Sequence, residues 1–398
     1  MKKKILIVSS SLVTGGLEKC LLMLCDSLDY TKYTVDLYLF NEGRQLLPSL
    51  NANVHLLPDS PYYALTYNRS ILKACFGLLK KGQVSLCLHR ISRFVRSKLG
   101  KRLDTVNDWE YMKQTMLKLR EHYDVAIAFE ECSACYYVAE CVDADVKCCW
   151  IQTDIKAINS NPDLDRRAFA AADYICTVSE NSRNSLLELY PEFEGKYRVF
   201  IMPSLQDTAD VMELAKADCE LSVTKGFKVL SVGRLVELKG FHLCVKALRK
   251  LLDDGFDVTW YVAGEGSFRR ELEEEIERYA LQDRFILLGN CANPYCYMAN
   301  ADICVQPSSY EGLPVTVWEE KQLGRAVVVS DIPAHRELIT DSLNGLIVKR
   351  DSDSIYTGVK ALLENKELHL HMAATPCNRA CTREETVSAI EETFKKAN

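Results

Sequence analysis

Nowhere does the sequence hold an unbroken apolar run approaching the roughly 18 residues that a membrane-spanning helix needs, so no such helix is expected. Nor is positive charge in excess: 49 Lys and Arg stand against 55 Asp and Glu, a formal charge of -6. Domains that track nucleic-acid phosphates are usually basic overall, which argues against a dedicated nucleic-acid binder. Cysteine is plentiful at 17, but a disulfide framework is lacking, because the count is odd and the spacings are scattered. The local cluster Cys132, Cys135, Cys141, Cys148 and Cys149 has neither a second paired motif nor nearby histidines. It reads as reduced, buried thiols rather than a zinc or redox site. The opening MKKKILIVSSSLVTGG has a basic tip and a short apolar run but no small-residue cleavage site. It reads as a first buried strand entering a glycine turn, and a cytoplasmic location is the expectation.

What the chain does have is length and apolar content. With 398 residues, 48% of them hydrophobic, two domains are expected rather than one, since single cores stop growing well short of this size. KILIVSS, a glycine turn, an apolar-periodic helix over about 17–28 and YTVDLYLF form a strand, helix, strand unit suited to a parallel sheet. YDVAIAFE, VKCCWIQ and DYICTVS read as further buried strands. The apolar strands fade between residues 189 and 224, which sets a boundary near 205. After it the strands FKVLSVG, VTWYVAGEG, FILLG, ADICVQPS, AVVVS and GLIV alternate with helices. The fold class is therefore α/β, with two Rossmann-like, doubly wound domains in tandem and a ligand expected between their facing strand ends.

Residues 69–102 stand apart, carrying ten Lys or Arg and no acid, with Ile91, Phe94, Val95 and Leu99 at helical spacing. Such a segment suits an anionic membrane surface, or else its apolar stripe packs on its own domain.

The segment SSYEGLPVTVWEEKQLG places Glu311 on a loop and Glu319 in the helix that Pro314 opens and Gly324 closes. With Pro314 as the first helical residue, Leu313 is the N-cap. Leucine cannot cap, so the amides about Gly312, Leu313 and Val315 are left for an anion beside the two carboxylates. A nucleotide sugar offers that sequence of groups: sugar hydroxyls, diphosphate, ribose hydroxyls. Glu319 and Glu320 read equally well as solvent-facing helix residues. Arg234 and Lys239 follow a buried strand, where two cations would neutralise a diphosphate and stabilise it as it leaves. Gly264 and Gly266 give backbone room after the next strand. At the N-terminus, Gly15 and Gly16 either let the chain approach phosphates or form a plain turn.

Taken together, SVGRLVELKG, VAGEG, LLGNCANPY, ADICVQPSSYEGLPVTVWEE, GRAVVVSDIPAHRELI and NGLIV resemble the donor-binding half of the retaining glycosyltransferases of family 4, which have the GT-B fold. The resemblance is close over residues 225–365 and looser through SLVTGGLEK, YDVAIAFE and WIQTD.

The resemblance implies an acceptor-binding domain over 1–205, a donor-binding domain over 206–376, and a helix over 377–398 that returns to the first domain. It implies that Arg234 and Lys239 hold the donor diphosphate, that Glu311 touches the transferred sugar, and that Glu319 holds the ribose hydroxyls. Gly15, Gly16, Gly264, Asn290, Gly312, Leu313 and Val315 would line the donor. The implied activity is hexosyl transfer from a UDP-sugar, with retention and without a metal or other cofactor. The acceptor would be a hydroxyl of a glycan or lipid-linked glycan, in surface or capsular polysaccharide assembly at the inner membrane face. The Asp-x-Asp matches at 143, 163 and 351 then belong to loops and helix starts. Many relatives have histidine facing the reacting sugar where WIQTD places Gln152, and glutamine cannot take up a proton near neutral pH. A sugar-nucleotide epimerase or hydrolase of the same fold, and a non-catalytic nucleotide-sugar-binding scaffold, are the alternative readings.

Overall fold

The structure is a computed structural model that describes residues 2–13, 15–60, 62–68, 70–99, 105–158, 160–205, 208–223, 225–378 and 381–396. The chain folds into two compact units, Met1–Leu205 with Glu384–Asn398, and Gln206–Arg383. The second unit thus reaches seven residues past the 376 read from the sequence.

The first unit holds seven strands, β1 (Lys3–Ser9), β2 (Tyr33–Leu39), β3 (Val54–Leu56), β4 (His122–Ala128), β5 (Asp143–Ile151), β6 (Tyr174–Thr177) and β7 (Tyr197–Val199). All pairings are parallel, in the order β3-β2-β1-β4-β5-β6-β7. Such a sheet is buried on both faces, which is why β1 and β4 read as unbroken apolar runs rather than alternating ones. Two buried carboxylates tie its aromatic packing. Asp36 accepts the Tyr123 hydroxyl at 2.9 Å, and Asp165 accepts Tyr136 and Tyr190 at 2.7 and 2.8 Å. The return segment packs here, with Phe394 edge-on to Tyr33 at 5.6 Å between ring centroids.

The expected thiol cluster lies in this unit. Cys135, Cys148 and Cys149 are buried, Cys132 and Cys141 half-buried, and all are free. Burial pushes the Cys132 thiol up to about 12 and that of Cys141 to about 11. Neutral thiols of this kind pack as small apolar groups.

The basic segment, of which residues 69 and 100–102 lie outside the described residues, forms two helices, Ile71–Lys80 and Val84–Lys98. Gly82, at φ +70°, breaks the chain between them. Their contact faces are Ala74, Leu78, Leu86 and Cys87, and His89 Nε2 lies 2.9 Å from Asp108 Oδ1. Ile91, Phe94, Val95 and Leu99 do not pack inward but stand exposed, as do Leu72, at 80%, and Phe76, at 74%. No helix among the described residues is long and apolar enough to cross a membrane.

The second unit repeats the scheme with β8 (Phe227–Val232), β9 (Val258–Ala263), β10 (Phe285–Gly289), β11 (Ile303–Gln306), β12 (Ala326–Ser330) and β13 (Leu346–Val348). Its sheet is parallel in the order β10-β9-β8-β11-β12-β13. In each unit the strand order reverses beside the first strand, between β1 and β4 and between β8 and β11. Open α/β sheets bind ligands outside the carboxyl ends of strands at such a point.

Candidate active site

Below the reversal in the second unit, buried Ser231 fixes three strands at once. Its Oγ donates to the Val305 carbonyl on β11 at 2.7 Å and accepts the Trp260 indole of β9 at 3.2 Å. Above it, the loops after β8, β9 and β11 close on one another where side chains are missing. Gly264 has φ +155°, and a Cβ there would lie 1.9 Å from the Gly233 carbonyl oxygen. Gly240, at φ +73°, begins the helix Phe241–Asp253, and a Cβ would lie 2.4 Å from the Pro307 carbonyl oxygen. Ser309 donates its amide to the Leu238 carbonyl at 2.7 Å, which completes the join between the β8 and β11 loops.

This join brings two of the expected residues together. Lys239 Nζ lies 2.5 Å from Glu311 Oε1, and Ser308 Oγ donates to the same oxygen at 2.6 Å. Both side chains of the pair are about one-sixth exposed, at 15% and 16%. Glu311 Oε2 carries no hydrogen bond among the described residues, so one carboxylate oxygen fixes the ammonium while the other stays open to a ligand. Arg234, on the β8 loop, is exposed and has no ion-pair partner among the described residues. Two cations and a carboxylate thus stand at the carboxyl ends of adjoining strands.

The helix carrying Glu319 starts one residue later than expected. It spans Val315–Gln322, and Pro314, at φ -79° and ψ 78°, is the N-cap in place of Leu313. The reason is a tight turn: the Val315 amide donates to the Leu313 carbonyl at 2.9 Å. This corrects the expectation for Val315, whose N–H is taken. The amides of Gly312 and Leu313 donate no hydrogen bond among the described residues, and no side chain caps the helix.

Glu319 and Glu320 are not solvent-facing. Glu319 is 3% exposed and its Oε1 accepts the Tyr295 hydroxyl at 2.9 Å; Glu320 is fully buried and accepts Gln306 Nε2 at 2.6 Å. Lys321 is buried as well, its ammonium donating to the Met372 carbonyl and, at 3.3 Å, to that of Arg325. Burial pushes the Glu320 carboxyl up to about 8 from its ordinary 4.5 and pulls the Lys321 ammonium down to about 8. Because the folded value for Glu320 is raised, its stabilising contribution is complete below about pH 4.5 and is lost as pH rises toward 8. Glu320→Gln, which keeps the acceptor for Gln306, is expected to match the wild type near pH 4.5 and exceed it at pH 8 by a few kcal/mol, on the order of the shift. Urea unfolding at the two pH values checks this, and equal curves at pH 8 would show that Glu320 is ionised in the fold.

Sequence reading missed a third group here. His335 is fully buried, its Nδ1 2.8 Å from the Ser330 carbonyl, and Ser330 Oγ donates to the Ser308 carbonyl at 2.5 Å. Burial pulls the imidazole down to about 4, so near neutral pH it is an uncharged prop behind Ser308 and Glu311. The signal was a histidine two residues after the proline of DIPAH, at the start of the helix Pro333–Leu338. Asn290 is not brought into the group. It is exposed just beyond β10, the edge strand, and no hydrogen bond or ion pair joins it to the others among the described residues. Of the three Asp-x-Asp matches, two lie at helix starts as expected, Asp163 in the first turn of the helix Pro162–Ala171 and Asp351 capping the helix Ser352–Glu364 through the Ser354 amide at 2.7 Å, whereas Asp143 opens the strand β5.

Gly15, Gly16 and Gln152 belong to the first unit. Gly15 is the extended N-cap of the helix Gly16–Ser27, and a Cβ on Gly15 would strike Glu18 Oε2 at 2.3 Å, whereas Gly16 faces open space. Gln152 follows β5; its Nε2 donates to the Phe129 carbonyl at 3.1 Å and its amide to Glu131 Oε2 at 3.0 Å. Next to it Glu130 accepts Ser10 Oγ at 3.0 Å, and burial pushes the Glu130 carboxyl up to about 7. Neither glutamate was singled out from the sequence, although two adjacent acids at the carboxyl end of a buried strand were visible.

Residues 216–375, most of the second unit, match the model of the family Glycosyl transferases group 1. The chain is 31% identical over 194 residues to an N-acetylgalactosamine-N,N'-diacetylbacillosaminyl-diphospho-undecaprenol 4-alpha-N-acetylgalactosaminyltransferase of Campylobacter jejuni, covering 48% of this chain and 52% of that one. It is 30% identical over 148 residues to the alpha-D-kanosaminyltransferase of Streptomyces kanamyceticus, covering 36% and 38%. The matched stretches thus span about half, or less, of these relatives. Among solved structures, Anabaena HepE in complex with UDP matches with a TM-score of 0.68 at 17% identity, over 99% of both chains. At that identity the likeness establishes the fold, which is GT-B.

Proposed function

We propose that the protein is a retaining, metal-independent hexosyltransferase that moves a hexose from a UDP-sugar to a hydroxyl of a glycan or lipid-linked glycan. The observation that carries this reading is the Lys239–Glu311–Ser308 cluster, with Arg234 on the same loop, at the β8/β11 reversal of the unit that matches the family. In this reading Arg234 and Lys239 neutralise the donor diphosphate and hold the charge that grows as the glycosyl bond breaks. The amides of Gly312 and Leu313 add two donors, Glu311 Oε2 takes a sugar hydroxyl, and Glu319 takes the ribose. With cations of its own at the leaving group, the chain has the charge that other transferases draw from a divalent ion. Retention follows if the departing phosphate accepts the proton of the incoming hydroxyl on the same face.

The name of the Campylobacter jejuni relative, which acts on a diphospho-undecaprenol-linked sugar, supports a lipid-linked acceptor and with it a role in polysaccharide assembly. The exposed apolar and basic helices of the first unit support work at the inner membrane face. Product analysis with UDP-sugars and a polyprenyl-linked acceptor, in chelator, tests the reading. A new glycoside of unchanged anomeric configuration is expected. Free sugar or an epimer would instead mean hydrolysis or epimerisation, and magnesium-dependent turnover would remove the metal-free mechanism.

A further inference from the structure

The cysteines of this chain are not equivalent, and one pair stands beside the candidate active site. Cys219 opens the single turn Glu220–Ser222 and is half-buried, its amide donating to Ser222 Oγ at 3.3 Å. Cys296 belongs to the helix Tyr295–Asn300, and its Sγ donates to the Asn293 carbonyl at 3.2 Å. The two thiols face one another: burial first, then the adjacent Cys219, pushes the thiol of Cys296 up to about 11. Asn293 ties the segments on which they lie. Its Nδ2 donates to the Leu214 carbonyl at 2.7 Å, while its Oδ1 accepts the Tyr295 amide at 3.1 Å. Both segments are in the second unit.

Other thiol pairs lack either access or a link to the site. Cys135 with Cys149 and Cys148 with Cys176 are sealed in the first unit, where burial holds Cys135 and Cys176 well above the usual thiol range. A thiol that does not ionise does not attack a disulfide. Cys75 and Cys87 also meet, with Cys75 half-buried, but they belong to the first unit. Cys296 differs in what it adjoins. Tyr295, the residue before it, donates its hydroxyl to Glu319 Oε1 at 2.9 Å. Drawing the Cys296 sulfur away from the Asn293 carbonyl to bonding distance of Cys219 shifts the first turn of a six-residue helix, and that hydroxyl with it.

We propose that Cys219 and Cys296 form a reversible disulfide that lowers donor affinity, with a low-molecular-weight disulfide such as oxidised glutathione as the oxidant. Cys219, the more accessible thiol, gives its proton to solvent and attacks one sulfur of glutathione disulfide, whose S–S bond breaks to release a glutathione thiolate. The Cys296 thiol passes its proton to that thiolate, attacks the Cys219 sulfur and expels the second glutathione, which takes a proton back from solvent. Two protein thiols are oxidised and one small disulfide is reduced, with no other reactant. The bond itself stands on the pairing of the thiols; its effect rests on the reading of Glu319 as the ribose contact.

The full chain is equilibrated in glutathione buffers from reducing to oxidising, and peptide mapping by mass and UDP calorimetry are read on the same samples. Oxidised wild type shows a Cys219–Cys296 link, and its UDP affinity falls about tenfold, the scale of one hydrogen bond to a charged group. Dithiothreitol reverses both changes. Cys219→Ser keeps the affinity of the reduced protein in every buffer. No link, glutathione retained on Cys219, or a link at Cys75–Cys87 alone overturns the pair. An equal fall in Cys219→Ser assigns the effect to another thiol and overturns the proposal too, and a link with unchanged UDP affinity overturns the switch. Reduced wild type that binds no UDP removes the donor reading, while the peptide map still decides the disulfide.

Discussion

Lys239→Ala is expected to lower the transfer rate by two to three orders of magnitude while the protein stays folded. The size follows from the loss of one preorganised charge at a leaving group, where each such contact contributes on the order of a hundredfold to a thousandfold. Lys239 suits that role because it is already held. Its ammonium is fixed by Glu311, Glu311 by Ser308, and the Ser308 carbonyl by Ser330, so no reorganisation is left for the moment of reaction. Arg234, exposed and without an ion pair among the described residues, is expected to cost less on removal, since solvent screens it more. The fold survives because Glu311 keeps Ser308 and open solvent once the ammonium is gone. Rates with a saturating UDP-sugar, alongside a thermal melt, check this. A fall of less than about tenfold would show that Lys239 only tethers Glu311.

The second large effect concerns donor affinity. On the proposed reading, Glu319→Ala weakens UDP binding by about a hundredfold, the scale of two hydrogen bonds from ribose hydroxyls to a charged acceptor. Tyr295→Phe is the control: it removes the hydroxyl that bonds Glu319 Oε1 but leaves the carboxylate in place. A modest change in Tyr295→Phe beside a large one in Glu319→Ala assigns the loss to the carboxylate rather than to repacking. Similar losses in both would make Glu319 a structural group of the helix.

Much of this architecture can be read from the chain because parallel strands buried on both faces leave continuous apolar runs, as in ILIV of β1 and AVVV of β12. The strand ends could be located too, and Lys239 and Glu311 both follow one. What could not be read depends on partners distant in sequence. Glu319, Glu320 and Lys321 look like a charged surface turn in any local window; only Tyr295, Gln306 and the Met372 carbonyl make them internal. The helix start shifted to Val315 because a local turn at Leu313 holds Pro314 out of helical geometry, although proline at a first position is a sound prior. Asn290 followed a strand as the others did, but that strand is at the sheet edge, two places from β8. The basic segment reads as one amphipathic helix, and only the structure shows a break at Gly82 with the apolar stripe turned outward.

The central claim is that the loops after β8 and β11, with the helix that follows, hold a nucleoside diphosphate. Calorimetric titration of UDP in chelator, on wild type and Glu319→Ala, tests it most directly. The account predicts metal-free binding to the wild type at one site per chain and a loss of about two orders of magnitude in the variant. No binding to the wild type, or the same affinity in both proteins, would contradict it.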